Sequence, residues 1–347
     1  MKYEQIIAIF SELGSRMRAL ANSDDPVLGN AYLHNNWFTT DNVKLNLINW
    51  ANALAENEVI TWLDTYDVKE RDWKKVLGIV MAGNIPLVGF HDLLCGLAAG
   101  YRCKIKLSSS DEILMGWVIK EIGSISSELG DKIEAAERIE KVDRVIATGS
   151  NNTSRYFEYY FRDIPHVIRK NRTSIAILNG NESEEDLKGL GNDIFSFFGL
   201  GCRNVSKIYV PVGYDFEPLF NVFREHEDII NHNKYANNYT YHKSIFLMNI
   251  TPHLDTGFLL MKEDEKLHAP LSSCFYKHYQ NIEGLVEKLK SVENDIQCVA
   301  SNESIEGVVA LGSTQKNSLK TYADNIDVMA FLTTQLTFNT HFLGPIV

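Results

Sequence analysis

The sequence has no excess of positive charge: 34 Lys and Arg stand against 45 Asp and Glu over 347 residues, a formal charge of −11 at pH 7. No basic cluster offsets that balance, and a nucleic-acid groove needs a basic face, so no nucleic-acid partner is expected. Long apolar runs are missing too. The most apolar stretch, Val76 to Phe90, is broken by Gly83, Asn84 and Pro86 and closed by His91-Asp92, whereas a membrane span needs about 20 uninterrupted apolar residues. Met1-Lys2-Tyr3-Glu4-Gln5 does not lead from a basic region into an apolar one, so no signal peptide is read and a cytoplasmic location is expected. The cysteines (Cys95, Cys103, Cys202, Cys274 and Cys298) are odd in number, scattered, and form no C-x-x-C pair; they read as reduced thiols, with no metal site. The dinucleotide fingerprint G-x-G-x-x-G is also absent, since Gly189-Leu190-Gly191 and Gly199-Leu200-Gly201 both lack the third glycine. No repeat and no long Pro/Ser linker occurs.

What is present is ordinary globular composition, 45% apolar and 23% charged, in a chain long enough for two domains. Ile6, Ile7, Phe10 and Leu13 fall at helical spacing, and Leu45, Leu47, Ile48, Trp50 and Leu54 mark a second amphipathic helix. The polar stretch Ser23 to Asn36 reads as a loop. From Val76 onward, short apolar runs alternate with helical patterns. Strands are expected at Val76–Met81, Cys103–Leu107, Val145–Ala147 and Ser174–Leu178. Helices are expected before Ala99, after Asp111, after Ser150 and from Glu184. This alternation implies βαβ units and a parallel sheet. Later strand candidates are Ile208–Pro211, Gly257–Met261, Ile296–Val299 and Gly307–Ala310, with helices at Glu217–Asn231 and Glu283–Val292. The aromatic run Tyr156–Phe161 reads as mostly core, His91 as a helix-face residue held by a carboxylate such as Asp92, and Asn231–Tyr241 as a solvated loop.

Ligands of a parallel sheet sit beyond the carboxyl ends of its strands. Gly83-Asn84-Ile85-Pro86, Ser108-Ser109 and Thr148-Gly149-Ser150 all fall there, where helix N-termini suit phosphate. Phosphate logic alone leaves a nucleotide domain and a plain α/β scaffold both open. Cys202 has a distinctive setting: Phe195, Phe197 and Phe198 end a helical stretch, Gly199-Leu200-Gly201 loosens the backbone, and Cys202-Arg203-Asn204 leads into a strand. A neighbouring guanidinium favours thiolate, the nucleophilic form, although a cysteine is more commonly a small buried apolar residue.

Four landmarks, in order, resemble the aldehyde dehydrogenase superfamily. Met81-Ala82-Gly83-Asn84-Ile85-Pro86 resembles its P-W-N-F-P loop, and Gly100–Leu107 its G-N-x-x-x-x-K segment with the lysine at Lys106. Thr148-Gly149-Ser150 is similar to the F-T-G-S turn beneath the dinucleotide phosphates, and Phe198–Cys202 to the G-Q-x-C nucleophile loop. Within the superfamily, Asn84 to Asp92 and Lys106-Leu107-Ser108-Ser109 resemble the LuxC-type acyl-CoA reductases. The resemblance implies an α/β fold of two domains behind a helical N-terminal segment. The expected boundaries are 1–178 for that segment with the dinucleotide-binding domain, 179–312 for the catalytic domain, and 313–347 for a segment returning to the first domain or to an oligomer interface.

The same resemblance implies catalytic Cys202 and Asn84, and cofactor contacts at Lys106, Ser108, Ser109, Thr148, Gly149 and Ser150. One departure selects the chemistry. Hydrolytic members carry a water-activating Glu in an E-L-G-G loop, and the matching Ile177-Leu178-Asn179-Gly180 has Ile177 in its place. Losing a positioned base forfeits about 10²–10⁴-fold, which favours reduction of a thioester over release of free acid. The family's E-x-F-G-P contact to the nicotinamide ribose falls on Leu267-His268-Ala269-Pro270, with Glu265 or Lys266 upstream. Lys106, Ser108 and Ser109, with no carboxylate before Asp111, favour NADPH over NADH. The expected substrate is an acyl-CoA, in a self-associating enzyme. The alternatives are another activated acyl group (a carrier-protein thioester or acyl phosphate) and a silent interaction subunit.

Overall fold

The computed structural model describes residues 1–66, 68, 71 and 73–334. The chain divides into two units, one formed by Met1–Asn171 with the chain returning from Asn317, the other by Arg172–Lys316.

In the first unit, α1 (Tyr3–Ala21), α2 (Pro26–His34), α3 (Thr40–Ala53) and α4 (Glu56–Leu63) precede the sheet. The α1 stripe Ile6, Phe10, Leu13 and Met17 is fully buried, as its spacing requires. The segment read as a loop after Ser23 contains α2. Asp25 accepts the Val27 N–H, and Pro26 supplies a preset first turn. Only Leu28 and Ala31 of this helix are buried, too few to give a periodic signal.

There follow β1 (Val76–Val80), α5 (Phe90–Ala98), β2 (Arg102–Lys106), α6 (Glu112–Ile125), α7 (Ser127–Gly130), β3 (Ile133–Ala135), β4 (Arg144–Thr148), α8 (Asn151–Tyr160) and β5 (His166–Arg169). The sheet order is β3-β2-β1-β4-β5, with every pair parallel. Its direction of growth reverses between β1 and β4, the kind of switch point where α/β sheets open a ligand crevice. The sequence reading did not anticipate the short edge strands β3 and β5.

The second unit holds β6 (Thr173–Ile177), α9 (Glu184–Phe195), β7 (Val205–Pro211), α10 (Glu217–Phe223), α11 (Asn233–Met248), β8 (Leu254–Asp255), β9 (Leu260–Glu263), β10 (Ser273–Tyr279), α12 (Ile282–Lys290) and β11 (Ile296–Ser301). Its order is β11-β6-β7-β10-β9-β8, parallel except for the antiparallel β8–β9 pair. The strand expected to close the first domain is β6. All five of its residues are buried, and it takes β7 and β11 as neighbours, so the boundary falls after Asn171 and not after 178. In the returning chain, α13 (Val328–Thr333) packs on α5.

Other local expectations are corrected. Asn231–Tyr241 lies largely within α11, which buries Tyr235, Tyr239 and Phe246 behind its Asn- and His-rich face. Gly307–Ala310 forms no strand; Val309 makes a single bridge to Ala300. In the aromatic run, Phe157 and Phe161 pack inward, while Tyr156, Tyr159 and Tyr160 are exposed. His91 is not held by Asp92. Its Nε2 meets the Leu319 carbonyl at 3.1 Å and its ring stacks on Tyr322, while Asp92 forms a bidentate pair with Arg169 at 2.6 and 2.8 Å. Burial pushes the His91 pKa down to about 4. Among the described residues no helix is long and apolar enough to cross a membrane.

Candidate functional site

In the first unit the carboxyl edge of the sheet gathers Asn84, Lys106, Ser108, Ser109, Thr148, Gly149 and Ser150. The Gly83–Pro86 turn leaves β1, Lys106 ends β2, and Thr148 ends β4. Met81 N–H donates to the Lys106 carbonyl at 3.0 Å, carrying the β1–β2 ladder one step beyond the strands. The two turns then touch: a Cβ on Gly83 would come within 2.5 Å of Ser108 Oγ, so the position requires glycine. Asn84, Lys106 and Ser109 are exposed, and Ser108 is half-buried.

Beside β4, Ser150 caps α8 by accepting the Thr153 N–H at 3.3 Å, and Gly149 N–H donates to the Arg169 carbonyl on β5 at 3.3 Å. A Cβ at Gly149 would lie 3.1 Å from the Thr153 Cβ, so the turn is tight against the first turn of α8. Helix start, tight turn and exposed Lys and Ser donors together suit the phosphates and ribose of a dinucleotide.

The turn bearing Asn84 is held from behind by residues that the sequence reading missed. Asn46 on α3 donates Nδ2 to the Pro86 carbonyl at 2.7 Å and accepts at its Oδ1 from Asn317 Nδ2 at 3.2 Å. Leu87 stands in the left-handed region, φ 58°, at roughly 1–2 kcal/mol for a residue with a Cβ. Its N–H donates to Asp111 Oδ2 at 2.7 Å. Asp111 is buried, its Oδ1 lacks a hydrogen-bond partner among the described residues, and burial pushes its pKa up to about 8. Its side chain therefore serves the turn and makes no cap hydrogen bond to α6. A signal for Asn46 was readable: Val43, Asn46, Leu47 and Trp50 share one helical stripe, where a polar residue needs a partner.

Cys202, in the second unit, is the exposed cysteine; Cys95 and Cys103 of the first unit and Cys274 of the second are buried, and Cys298 is half-buried. Burial raises the pKa of each of those four thiols. Beyond α9 the backbone makes three consecutive left-handed residues, Phe197 (φ 52°), Phe198 (φ 59°) and Gly199 (φ 78°). The Asn204 N–H donates to the Gly201 carbonyl at 3.0 Å, so Cys202 and Arg203 form the corner of a turn. Ser174 Oγ donates to the Cys202 carbonyl at 3.0 Å and lies 3.0 Å from Cys298 Sγ. Arg203 donates Nε to the Thr314 carbonyl; Thr314 N–H and Oγ donate to Asp193 at 3.0 and 2.7 Å. The Arg203 charge lowers the pKa of the neighbouring Cys298 against the larger effect of burial.

Ile177 ends β6 in an apolar cluster with Ile175, Tyr209, Leu285 and Leu289. The carboxylate in the turn that follows is Glu182, which accepts the Asn179 and Gly180 N–H groups. Glu265 is gripped by Lys277 and Lys288 at 2.9 and 3.0 Å, which hold its pKa down to about 2. Lys207, another group the reading missed, is fully buried on β7 and donates to the Glu265 carbonyl at 2.9 Å. Burial pushes its pKa down to about 8.

An all-parallel sheet with a switch point, followed by a second sheet whose cysteine stands on a turn between α9 and β7, is the fold of the aldehyde dehydrogenases. The NAD⁺ complex of an aldehyde dehydrogenase from Bacillus cereus superposes with a TM-score of 0.63 at 12% identity, covering 88% of this chain and 73% of that one. Aldehyde dehydrogenase 21 from Physcomitrella patens, in complex with succinate, gives 0.65 at 11% identity over 92% and 81%. A glyceraldehyde-3-phosphate dehydrogenase from Methanocaldococcus jannaschii, complexed with NADP, gives 0.60 at 13% over 90% and 80%. These identities establish the fold. No family model and no curated protein matches the sequence.

Proposed function

We propose that the chain is an NADPH-dependent acyl-CoA reductase that converts a fatty acyl thioester to the aldehyde through an acyl-cysteine. The reading is carried by Ile177: where hydrolytic aldehyde dehydrogenases hold their water-activating Glu, this chain has a buried isoleucine in an apolar cluster. Water then lacks the base that would cleave an acyl-enzyme, while a thiolate leaves a thioester without such help.

The rim of the first sheet fits a dinucleotide. Lys106, Ser108 and Ser109 would hold its adenosine ribose, and Thr148-Gly149-Ser150 its phosphates. Asp111, the first carboxylate after β2, is buried against Leu87 N–H, which supports a 2′-phosphate over a free ribose diol. When bound, NADPH supplies the hydride that reduces the acyl carbon.

Cys202 attacks the thioester carbonyl; the bond from carbon to the CoA sulfur breaks and CoA leaves as the thiolate, taking a proton from solvent. The resemblance gives the Asn84 carboxamide the role of donor to the carbonyl oxygen as it gains charge, and losing such a donor costs about 3–4 kcal/mol of barrier. After reduction, the bond from carbon to Cys202 sulfur breaks, releasing aldehyde and restoring the thiolate. The test is to mix the protein with NADPH and acyl-CoA esters of graded chain length. Loss of nicotinamide absorbance matched by aldehyde is expected, and no oxidation with any thioester would overturn the assignment.

A further inference from the structure

We infer that Asn204 is the positioning residue of the nucleophile: its carboxamide holds the turn that presents Cys202. This rests on the reading of Cys202 as the acylated residue. Asn204 is buried, 3% exposed, and its Nδ2 faces three carbonyls: Asp193 at 3.1 Å, Ile194 at 3.4 Å and Ser196 at 2.8 Å. The first two belong to the last turn of α9, whose carbonyls have no partner within the helix. Its Oδ1 accepts the Gly201 N–H at 2.8 Å, and its own N–H returns to the Gly201 carbonyl at 3.0 Å. One residue thus closes both sides of the Gly201–Asn204 turn and ties that turn to the end of α9.

Between those ties lie Phe197, Phe198 and Gly199, all left-handed. Two aromatic residues do not adopt that conformation by preference; it persists where surrounding contacts over-determine it. The Asn204 contacts contribute to this from the turn side, with the Phe198 ring packed on His232 and Tyr235, and two hydrogen bonds that close the corner carrying Cys202 run to Asn204. Donor and acceptor are both needed: a carboxylate of the same shape would accept from Gly201 but repel the three carbonyls.

Asn204→Asp is therefore the sharp variant, with Asn204→Ser, whose hydroxyl is too short to span Gly201 and Ser196, as the second should the first fail to fold. Three quantities are measured well below the unfolding midpoint: kcat with acyl-CoA and NADPH, the NADPH dissociation constant, and the rate of iodoacetamide labelling at Cys202 followed by peptide mass. A displacement of about 1 Å can cost 10²-fold in rate. We expect kcat to fall about 10²-fold, labelling to slow about tenfold by the same misplacement, and NADPH affinity to hold within about twofold. A lowered melting temperature with kcat and labelling within about threefold of the parent would make Asn204 a helix cap only and overturn the inference. A parent protein that turns over no thioester would sink the reading of function instead, while the labelling comparison would still decide Asn204.

Discussion

Asp111 Oδ2 accepts the Leu87 N–H at 2.7 Å, and this contact fixes a left-handed residue directly after the turn that displays Asn84. Burial lifts the carboxyl pKa from 3.8 to about 8 against the lowering effect of the Leu87 N–H, which favours the neutral form at pH 7. Across that interval the folded chain binds more protons than the unfolded one, so each rise in pH erodes stability until the loss is complete above about pH 8. The Asp111→Asn substitution keeps an acceptor for Leu87 and removes the titration. Urea unfolding of both proteins from pH 5 to 8 should show a flatter profile for Asp111→Asn, and parallel profiles would refute a neutral buried Asp111. Asp111→Ala should lose about 1–3 kcal/mol at pH 5, the cost of a stranded N–H.

The Asp92–Arg169 pair joins α5 to β5 below the Thr148–Ser150 turn, whose Gly149 donates to the Arg169 carbonyl. Both side chains are under 10% exposed, so removing one strands a buried charge, at a cost of about 3–5 kcal/mol. Arg169→Met should lower the urea midpoint accordingly, and the double variant Arg169→Met/Asp92→Leu should recover most of the loss. A single variant that unfolds with the parent would show that the pair is solvated.

The legible parts of this molecule were those where chemistry or period repeats locally. The strands at Val76, Cys103 and Val145 are apolar runs followed by turn residues, and the turns bearing Asn84, Lys106 and Thr148 could be placed at one sheet edge from that alternation. What escaped was set by tertiary contacts. Helix α11 hides three buried aromatics among Asn and His; β3 has three residues and β5 four; β6 belongs to the second sheet because of its neighbours, not its composition. Asn204 and Asp111 were legible only as a residue before a strand and a residue before a helix. Their partners, Ser196 to Gly201 and Leu87, become apparent only once the backbone has turned.

On the proposed mechanism, in which the thiol carries the covalent step and not the cofactor contacts, Cys202→Ala should abolish aldehyde formation while leaving NADPH binding within about twofold of the parent. The other four cysteines are ill suited to replace it: three are buried, Cys298 is half-buried, and burial raises all four pKa values. Turnover at the parental rate by Cys202→Ala, measured as NADPH loss with trapped aldehyde, would clear the residue of its role.

Ile177→Glu tests the feature on which the reductase assignment rests. The new carboxyl would enter a site 2% exposed among Ile175, Tyr209 and Leu285, where desolvation raises a glutamate pKa to about 8–9. At pH 7 it would stay protonated and be no base. Thioester hydrolysis, followed without NADPH as free CoA and free acid, should therefore remain at the parental level at pH 7 and rise as the pH passes about 9. The parent, with isoleucine there, should show no such rise beyond the uncatalysed rate. Equal hydrolysis by both proteins across the range would separate position 177 from the water-activating role, and the preference for reduction would then need another cause.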